Sequence, residues 1–184
     1  MAISGNQYFI SITLTLRQFL EDWSCLIQCM AKTPTSVPQL IVSAPTYISY
    51  TDACRLGADE VWCSGTKCLN LFLWQVEWPQ DIQDNLVTAE NPNRKITIND
   101  LELAGSLLGF LALEAKYIPV TYNHLDTFCD NITTVAWAYK LLMSKSQISG
   151  YLFWFLGLLI HQFQASSMIL NHLAGVLNIM ADII

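Results

Sequence analysis

The sequence predicts an α/β domain in which helices pack against a mixed β-sheet. Three observations carry that prediction. Residues 46–53, 59–63 and 72–78 are rich in β-branched and aromatic residues and are bounded by turn or proline signals, which reads as three consecutive antiparallel strands. A long apolar helix, residues 100–116, follows them. Two further strands, 124–130 and 167–173, are then separated by two helices. Strands that alternate with helices imply a sheet covered by those helices.

Taken in order, residues 8–14 are weakly strand-like. From 15 to 30, Leu16, Phe19, Leu20, Trp23, Leu26, Ile27 and Met30 recur at helical spacing, the pattern of an amphipathic helix. Pro34, Pro38 and Pro45 make an extended connector. The domain boundary falls here: 1–40 is an N-terminal helix with its proline connector, and 41–184 is the α/β domain. The first hairpin runs through Arg55-Leu56-Gly57-Ala58 as its turn. In the third strand Phe72, Trp74, Val76 and Trp78 alternate with Leu73, Gln75 and Glu77, which makes it half-buried, and Pro79 ends it. Residues 81–95 are polar around Asn91-Pro92-Asn93 and read as a surface loop. The 100–116 helix carries Leu101, Leu103, Ala104, Leu107, Leu108, Phe110 and Leu111 around most of its circumference, so it is buried on several sides. Helices over 131–142 and 147–163 flank the fourth and fifth strands, and Gly175 and Asn178 open a last helix.

The chain has 184 residues, 53% of them hydrophobic and 13% charged, with a net charge of −6. The apolar run 148–160 is shorter than the roughly 20 residues a membrane span needs, so it reads as a core helix, and no secretory signal is visible at the N-terminus. The acidic balance argues against a strongly basic nucleic-acid surface. Cys25, Cys29, Cys54, Cys63, Cys68 and Cys129 form no C-x-x-C pair and read as reduced core thiols rather than disulfides or a zinc site. Trp74, Trp78 and Trp137 read as core rather than as base-stacking platforms. His172, on a strand, reads as structural.

Four carboxylates stand out. Asp52 lies near the end of an otherwise apolar strand, where an ionised group is costly unless paired, hydrogen-bonded or holding a metal. Glu102, Asp130 and Asp182 are the others. Each also has a plain reading. Glu102 lies three residues after Asn99, the spacing of a capping box; Asp130 or Asn131 can cap the next helix; Asp182 suits the first turn of one.

The order of elements, with acids at these places, resembles the ribonuclease H fold. Tyr50-Thr51-Asp52-Ala53, then Gly57-Ala58 and Val61-Trp62, resembles the first hairpin of retroelement ribonuclease H domains. Residues 99–104 resemble the segment with the catalytic glutamate, and Phe128-Cys129-Asp130-Asn131 resembles the second aspartate strand. His172-Leu173-Ala174-Gly175 followed by Asn178-Ile179-Met180-Ala181-Asp182 resembles the end of LTR-retroelement domains. The resemblance covers about residues 40–184. It implies a five-stranded sheet, three antiparallel strands then two parallel, with flanking helices. It also implies two-metal hydrolysis of the RNA strand of RNA–DNA hybrids by Asp52, Glu102, Asp130 and Asp182. Asp52 would bridge two Mg²⁺ ions (Mn²⁺ being the other candidate), Glu102 and Asp130 would complete their shells, and Asp182 would hold the second ion. The implied partner is the reverse-transcriptase part of the same polyprotein, in an intracellular setting without a membrane. Three features depart from the family. Asp59-Glu60 stands where it has two glycines, basic residues are few, and the chain stops two residues after Asp182, before the family's last helix is complete. The alternatives are a non-catalytic module of the same fold and, more weakly, an integrase or resolvase type of nuclease.

Overall fold

The structure is a computed structural model. It describes residues 11–34, 44–64, 71–116, 124–140, 146–162 and 167–179, apart from the side chains of Lys140, Gln162 and Ser167. It divides into two compact units, Met1–Pro34 and Thr35–Ile184.

The described residues of the first unit contain the helix α1 (Leu14–Lys32), capped by Thr13, whose hydroxyl accepts the Leu16 N–H at 3.2 Å. The expected apolar stripe is present, and Leu16, Phe19, Leu20, Trp23, Ile27 and Met30 on it are exposed.

The second unit is a five-stranded sheet with helices. Its strands are β1 (Tyr47–Ala53), β2 (Gly57–Ser64), β3 (Leu71–Glu77), β4 (His124–Cys129) and β5 (Ser167–His172), in spatial order β3-β2-β1-β4-β5. β1, β2 and β3 are antiparallel neighbours, while β4 runs parallel to both β1 and β5. This is the mixed sheet that the sequence predicts. Register puts Ser49, Thr51 and Ala53 on one face with Trp62, Glu60 and Ala58 of β2 and with Phe72, Trp74 and Val76 of β3.

The helix α3 (Ile98–Ala115) lies on that face. Gly105 lets it come close, since a Cβ there would stand 3.2 Å from the Ala58 Cβ, tighter than side chains normally pack. Phe110 and Leu113 of α3, Trp62 of β2, Leu125 of β4 and Leu156 and Leu159 of α5 (Gln147–Gln162) form the main core. A smaller cluster of Cys129, Val135 and Leu170 packs α4 (Ile132–Lys140) on β4 and β5. The run 148–160 falls within α5, and no helix among the described residues is long and apolar enough to cross a membrane.

Several local readings change. The 81–95 segment is not simply a surface loop. It begins with a short helix, α2 (Gln80–Asp84), and Leu86 and Ile96 are buried, joined by a Val87 N–H bond to the Ile96 carbonyl at 2.7 Å. Both side chains enter a cluster with Ala53, Ala58 and Trp78, which offsets the ordering of an otherwise polar stretch. The cysteines are not all core thiols: Cys63 and Cys129 are buried, but Cys25 and Cys54 are exposed because they face outward from α1 and from the β1–β2 turn. Cys68 and residues 8–10 lie outside the described residues. Trp78 is buried and its indole donates to the Cys54 carbonyl, while half-buried Trp74 donates to Glu60; both are core residues, as expected.

Glu60, which stands where the resembling family has a glycine, takes a place that the sequence did not foretell. It is fully buried beneath α3, where a Cβ on Gly109 would overlap its carboxyl group. Trp74 Nε1 donates to Oε2 at 3.0 Å, and Oε1 has no partner among the described residues. Burial pushes the carboxyl up to about 8, opposed by the nearby polar groups of Ser49, Trp74 and Trp62 and helped by the charge of Asp59. A carboxyl whose folded pKa is raised favours folding below its unfolded value, near 4.5, and that contribution is lost as pH rises toward 8. Glu60→Gln is therefore expected to change the melting midpoint little at pH 5 and to raise it at pH 8.5, by about 2–4 °C for each kcal/mol regained in a domain of this size. Thermal denaturation of both proteins at the two pH values checks this, and equal midpoint differences at both would count against a buried neutral carboxyl.

Candidate metal centre

Asp52 and Asp130 are brought together by strand register. β1 and β4 pair in parallel from Tyr47↔Leu125 to Tyr50↔Phe128. Two residues further along stand Asp52, still on β1, and Asp130, just past the end of β4, both at the same end of the sheet. Adjacent strands lie only about 4.8 Å apart, so the two carboxylates have to meet. Tyr50 and Phe128, one step before them, stack with ring centroids 5.6 Å apart.

Glu102 is delivered by α3. The helix starts at Ile98 rather than at Asp100, because Thr97 is its N-cap. Thr97 Oγ1 accepts the Asp100 N–H at 3.3 Å and Asp100 Oδ2 accepts the Thr97 N–H at 2.8 Å, a complete capping box. Glu102 is thereby free of the capping role that its spacing from Asn99 allowed. It is 4% exposed and projects from the second turn of α3 toward the ends of β1 and β4. One carboxylate oxygen from each of Asp52, Glu102 and Asp130 lies within 4.8 Å of the others.

The cap of α4 resolves in the same way. Asn131 Oδ1 accepts the N–H groups of Thr133 and Thr134, each at 3.0 Å. Asp130, its neighbour, is left exposed to the site. Asn131 Nδ2 also donates to Asn99 Oδ1 at 2.7 Å, and Thr134 Oγ1 donates to the Asn99 carbonyl. This bridge ties the start of α3, which carries Glu102, to the corner that carries Asp130. Asp100 ties the same turn of α3 to α5, accepting from Ser146 Oγ at 2.7 Å and from Ser149 Oγ. Burial alone would raise its carboxyl; the bonds from Ser149, the Thr97 backbone, Ser146 and the Thr97 hydroxyl outweigh that and hold it below the usual range.

The electrostatics of the cluster are those of crowded, partly dehydrated carboxylates. Burial, then the charges of Asp52 and Asp130, push Glu102 up to about 8, with the Ala53 N–H opposing and Asp59 adding to the rise. Asp59 is the register partner of Asp52 on β2. The buried Cys129 thiol is pushed up to about 12 by burial and by Glu102, Asp130 and Asp52, so it is neutral. Glu102 Oε2 is buried with no hydrogen-bond partner among the described residues. Hard carboxylate oxygens at this spacing, one of them unsatisfied, fit a hard divalent cation. Asp182 lies outside the described residues. His172 is exposed at the end of β5, in register with Cys129. Asn131 caps α4, one of the two caps the sequence offered; the bridge from Asn131 to Asn99 and the place of Asp59 beside Asp52 were not read from the sequence.

The five-stranded order with its flanking helices is the ribonuclease H-like fold, and solved structures agree. The chain resembles the N-terminal RNase H domain of a Mycobacterium tuberculosis protein (TM-score 0.51, 11% identity, covering 74% of this chain and 92% of that one). It resembles an RNase H1 from Halobacterium salinarum (0.50, 10%, 74% and 90%). It also resembles an RNase H1 isolated from compost by a metagenomic approach, solved with an RNA/DNA hybrid (0.52, 10%, 74% and 89%). No protein-family model matches the chain, and no curated protein matches its sequence.

Two outcomes are expected. Asn131→Ala removes an N-cap and the bridge to Asn99, and should destabilise the domain by roughly 0.5–2 kcal/mol in denaturant unfolding. A cation has to displace the Glu102 proton, so divalent-cation affinity should rise from pH 6 to pH 8 and level off above, with proton release. Calorimetric titration in buffers of different ionisation enthalpy measures that release, and a pH-independent affinity would exclude Glu102 as a ligand.

Proposed function

We propose that this domain is a metal-dependent ribonuclease H that hydrolyses the RNA strand of RNA–DNA hybrids. The observation that carries the reading is the convergence of Asp52, Glu102 and Asp130 within 4.8 Å, at the edge where two parallel strands of this fold end. A phosphodiester is an anion, and three carboxylates repel it. Bound divalent cations would neutralise that repulsion, activate water and stabilise the leaving oxygen. Asp52 is suited to be the shared ligand, since it is within reach of both Glu102 on α3 and Asp130 just past β4. The bridge from Asn99 to Asn131 holds Glu102 and Asp130 in place while substrate binds. Asp182 is proposed as the fourth acid. The hybrid would be recognised by its shape and 2′-hydroxyls rather than by base edges.

The finer reading is a retroelement domain, with α1 and the proline connector as the tail of a reverse-transcriptase region and that region as its partner. The motif wording from Tyr50 to Ala53 and from His172 to Asp182 supports it. An intracellular setting follows from that substrate.

One observation favours a non-catalytic module of the same fold: 9 Lys and Arg residues stand against 15 Asp and Glu, a poor balance for gripping a phosphate backbone. Cleavage of a labelled RNA–DNA hybrid with Mg²⁺ separates the two. Mg²⁺-dependent cutting of the RNA strand, lost in Asp52→Asn, is the expected result. Cutting that survives Asp52→Asn would overturn the assignment of the site. Absence of cutting by a protein that still binds the cation would favour the module.

A further inference from the structure

We infer that Asn178 is a positioning residue for the acid cluster, and that residues 173–178 form a strap holding the ends of β4 and β1 together. β5 is separated from β1 by β4. The chain leaves β5 with the Leu173 N–H still bonded to the Cys129 carbonyl at 2.9 Å. It turns through a 3₁₀ turn, Gly175–Leu177, closed by the Leu177 N–H on the Ala174 carbonyl at 2.7 Å and the Asn178 N–H on the Gly175 carbonyl at 2.9 Å. It then reaches β1, where Asn178 Nδ2 donates to the Thr51 carbonyl at 3.3 Å. To do so it has to cross the end of β4, about two strand spacings or roughly 10 Å in all.

At that crossing it touches the site. A Cβ on Gly175 would stand 3.0 Å from Asp130 Oδ2, so the turn backs directly onto that carboxylate, and a side chain there would push it aside by a few tenths of an ångström. Asn178 lands on the peptide that joins Thr51 to Asp52. It is 2% exposed, and its Oδ1 is buried with no partner among the described residues. An amide so buried with one half unsatisfied is costly. Leaving the amide there serves geometry better than stability: it fixes the end of β1 against a segment that also backs onto Asp130. Groups that orient ligands from behind commonly change metal affinity without touching the metal.

The inference rests on the metal-centre reading only for the cation, and the test separates the two. Mn²⁺ binding by calorimetry and amide hydrogen exchange without metal are measured for the full chain, Asn178→Ala and Gly175→Val. For both variants the expected result is Mn²⁺ affinity weaker by about tenfold. The Asp52 and Ala53 amides should also exchange faster, while those of Trp62 and Leu125 stay as in the parent. Unchanged affinity and exchange in both variants, or exchange accelerated equally through the whole sheet, would overturn it. Should Asn178→Ala fail to fold, Gly175→Val decides alone. A parent protein that binds no Mn²⁺ would remove the metal-centre reading, and the exchange pattern would then decide the strap by itself.

Discussion

The pairing of β1 with β4 is the constraint on which the rest depends. Their register joins residue 47 to 125 and 50 to 128, and Asp52 and Asp130 each follow two residues beyond the last pair. Two carboxylates are thus set side by side by backbone hydrogen bonds formed among apolar and hydroxyl side chains several residues away. Ser49 Oγ donates to Thr127 Oγ1 at 2.9 Å across the same pair of strands, both fully buried, so the register is locked from inside the sheet. A slip of one residue would turn every side chain of β1 to the opposite face, separating Asp52 from Asp130 and exposing Thr51 and Ala53 instead.

Bringing acids together opposes folding unless something neutralises them. The protein meets that cost unevenly. Asp100, close by on α3, is surrounded by four donated hydrogen bonds and stays easily ionised. Glu102 has the opposite surroundings, with two acids, little water and one unsatisfied oxygen, and is pushed up to about 8. The fold therefore carries stress where a cation would relieve it and satisfies the neighbouring acid fully. Glu60 is a different case: its carboxyl sits in the core, far from solvent and supported by an indole N–H, and its protonated form fits there without a cation.

The strands and their order along the chain are legible in the sequence because their residues carry physical signatures, while their spatial order in the sheet was legible only through the resemblance. The 46–53 run is β-branched and aromatic, and the 72–78 run alternates. The latter is observed as inward Phe72, Trp74 and Val76 against outward Leu71, Leu73, Gln75 and Glu77. Convergence of Asp52, Glu102 and Asp130 was legible only through the resemblance, since no local spacing relates residues 50 and 28 positions apart. Local pattern misled in the 81–95 stretch, whose polar composition hides a buried anchor, Leu86, that pairs with buried Ile96 just beyond it. It also left the capping roles open, because Asn99, Asp100, Asp130 and Asn131 all have side chains able to cap and only tertiary packing selects among them.

That selection is what lets the three acids face one point. At each helix start two polar residues stand next to or near one another, and the shorter-range task goes to one of them. Thr97 and Asp100 satisfy the first N–H groups of α3, which leaves Glu102 to face the strands. Asn131 satisfies those of α4, which leaves Asp130 to face the same point. Had Glu102 or Asp130 been the cap, its oxygens would be committed to backbone donors and turned along the helix axis. A neutral asparagine at the second cap also avoids a further negative charge against Glu102, where one more anion would raise an already elevated carboxyl. Its amide is free to bond Asn99, so the residue that relieves Asp130 of capping also fixes the distance between the two acids.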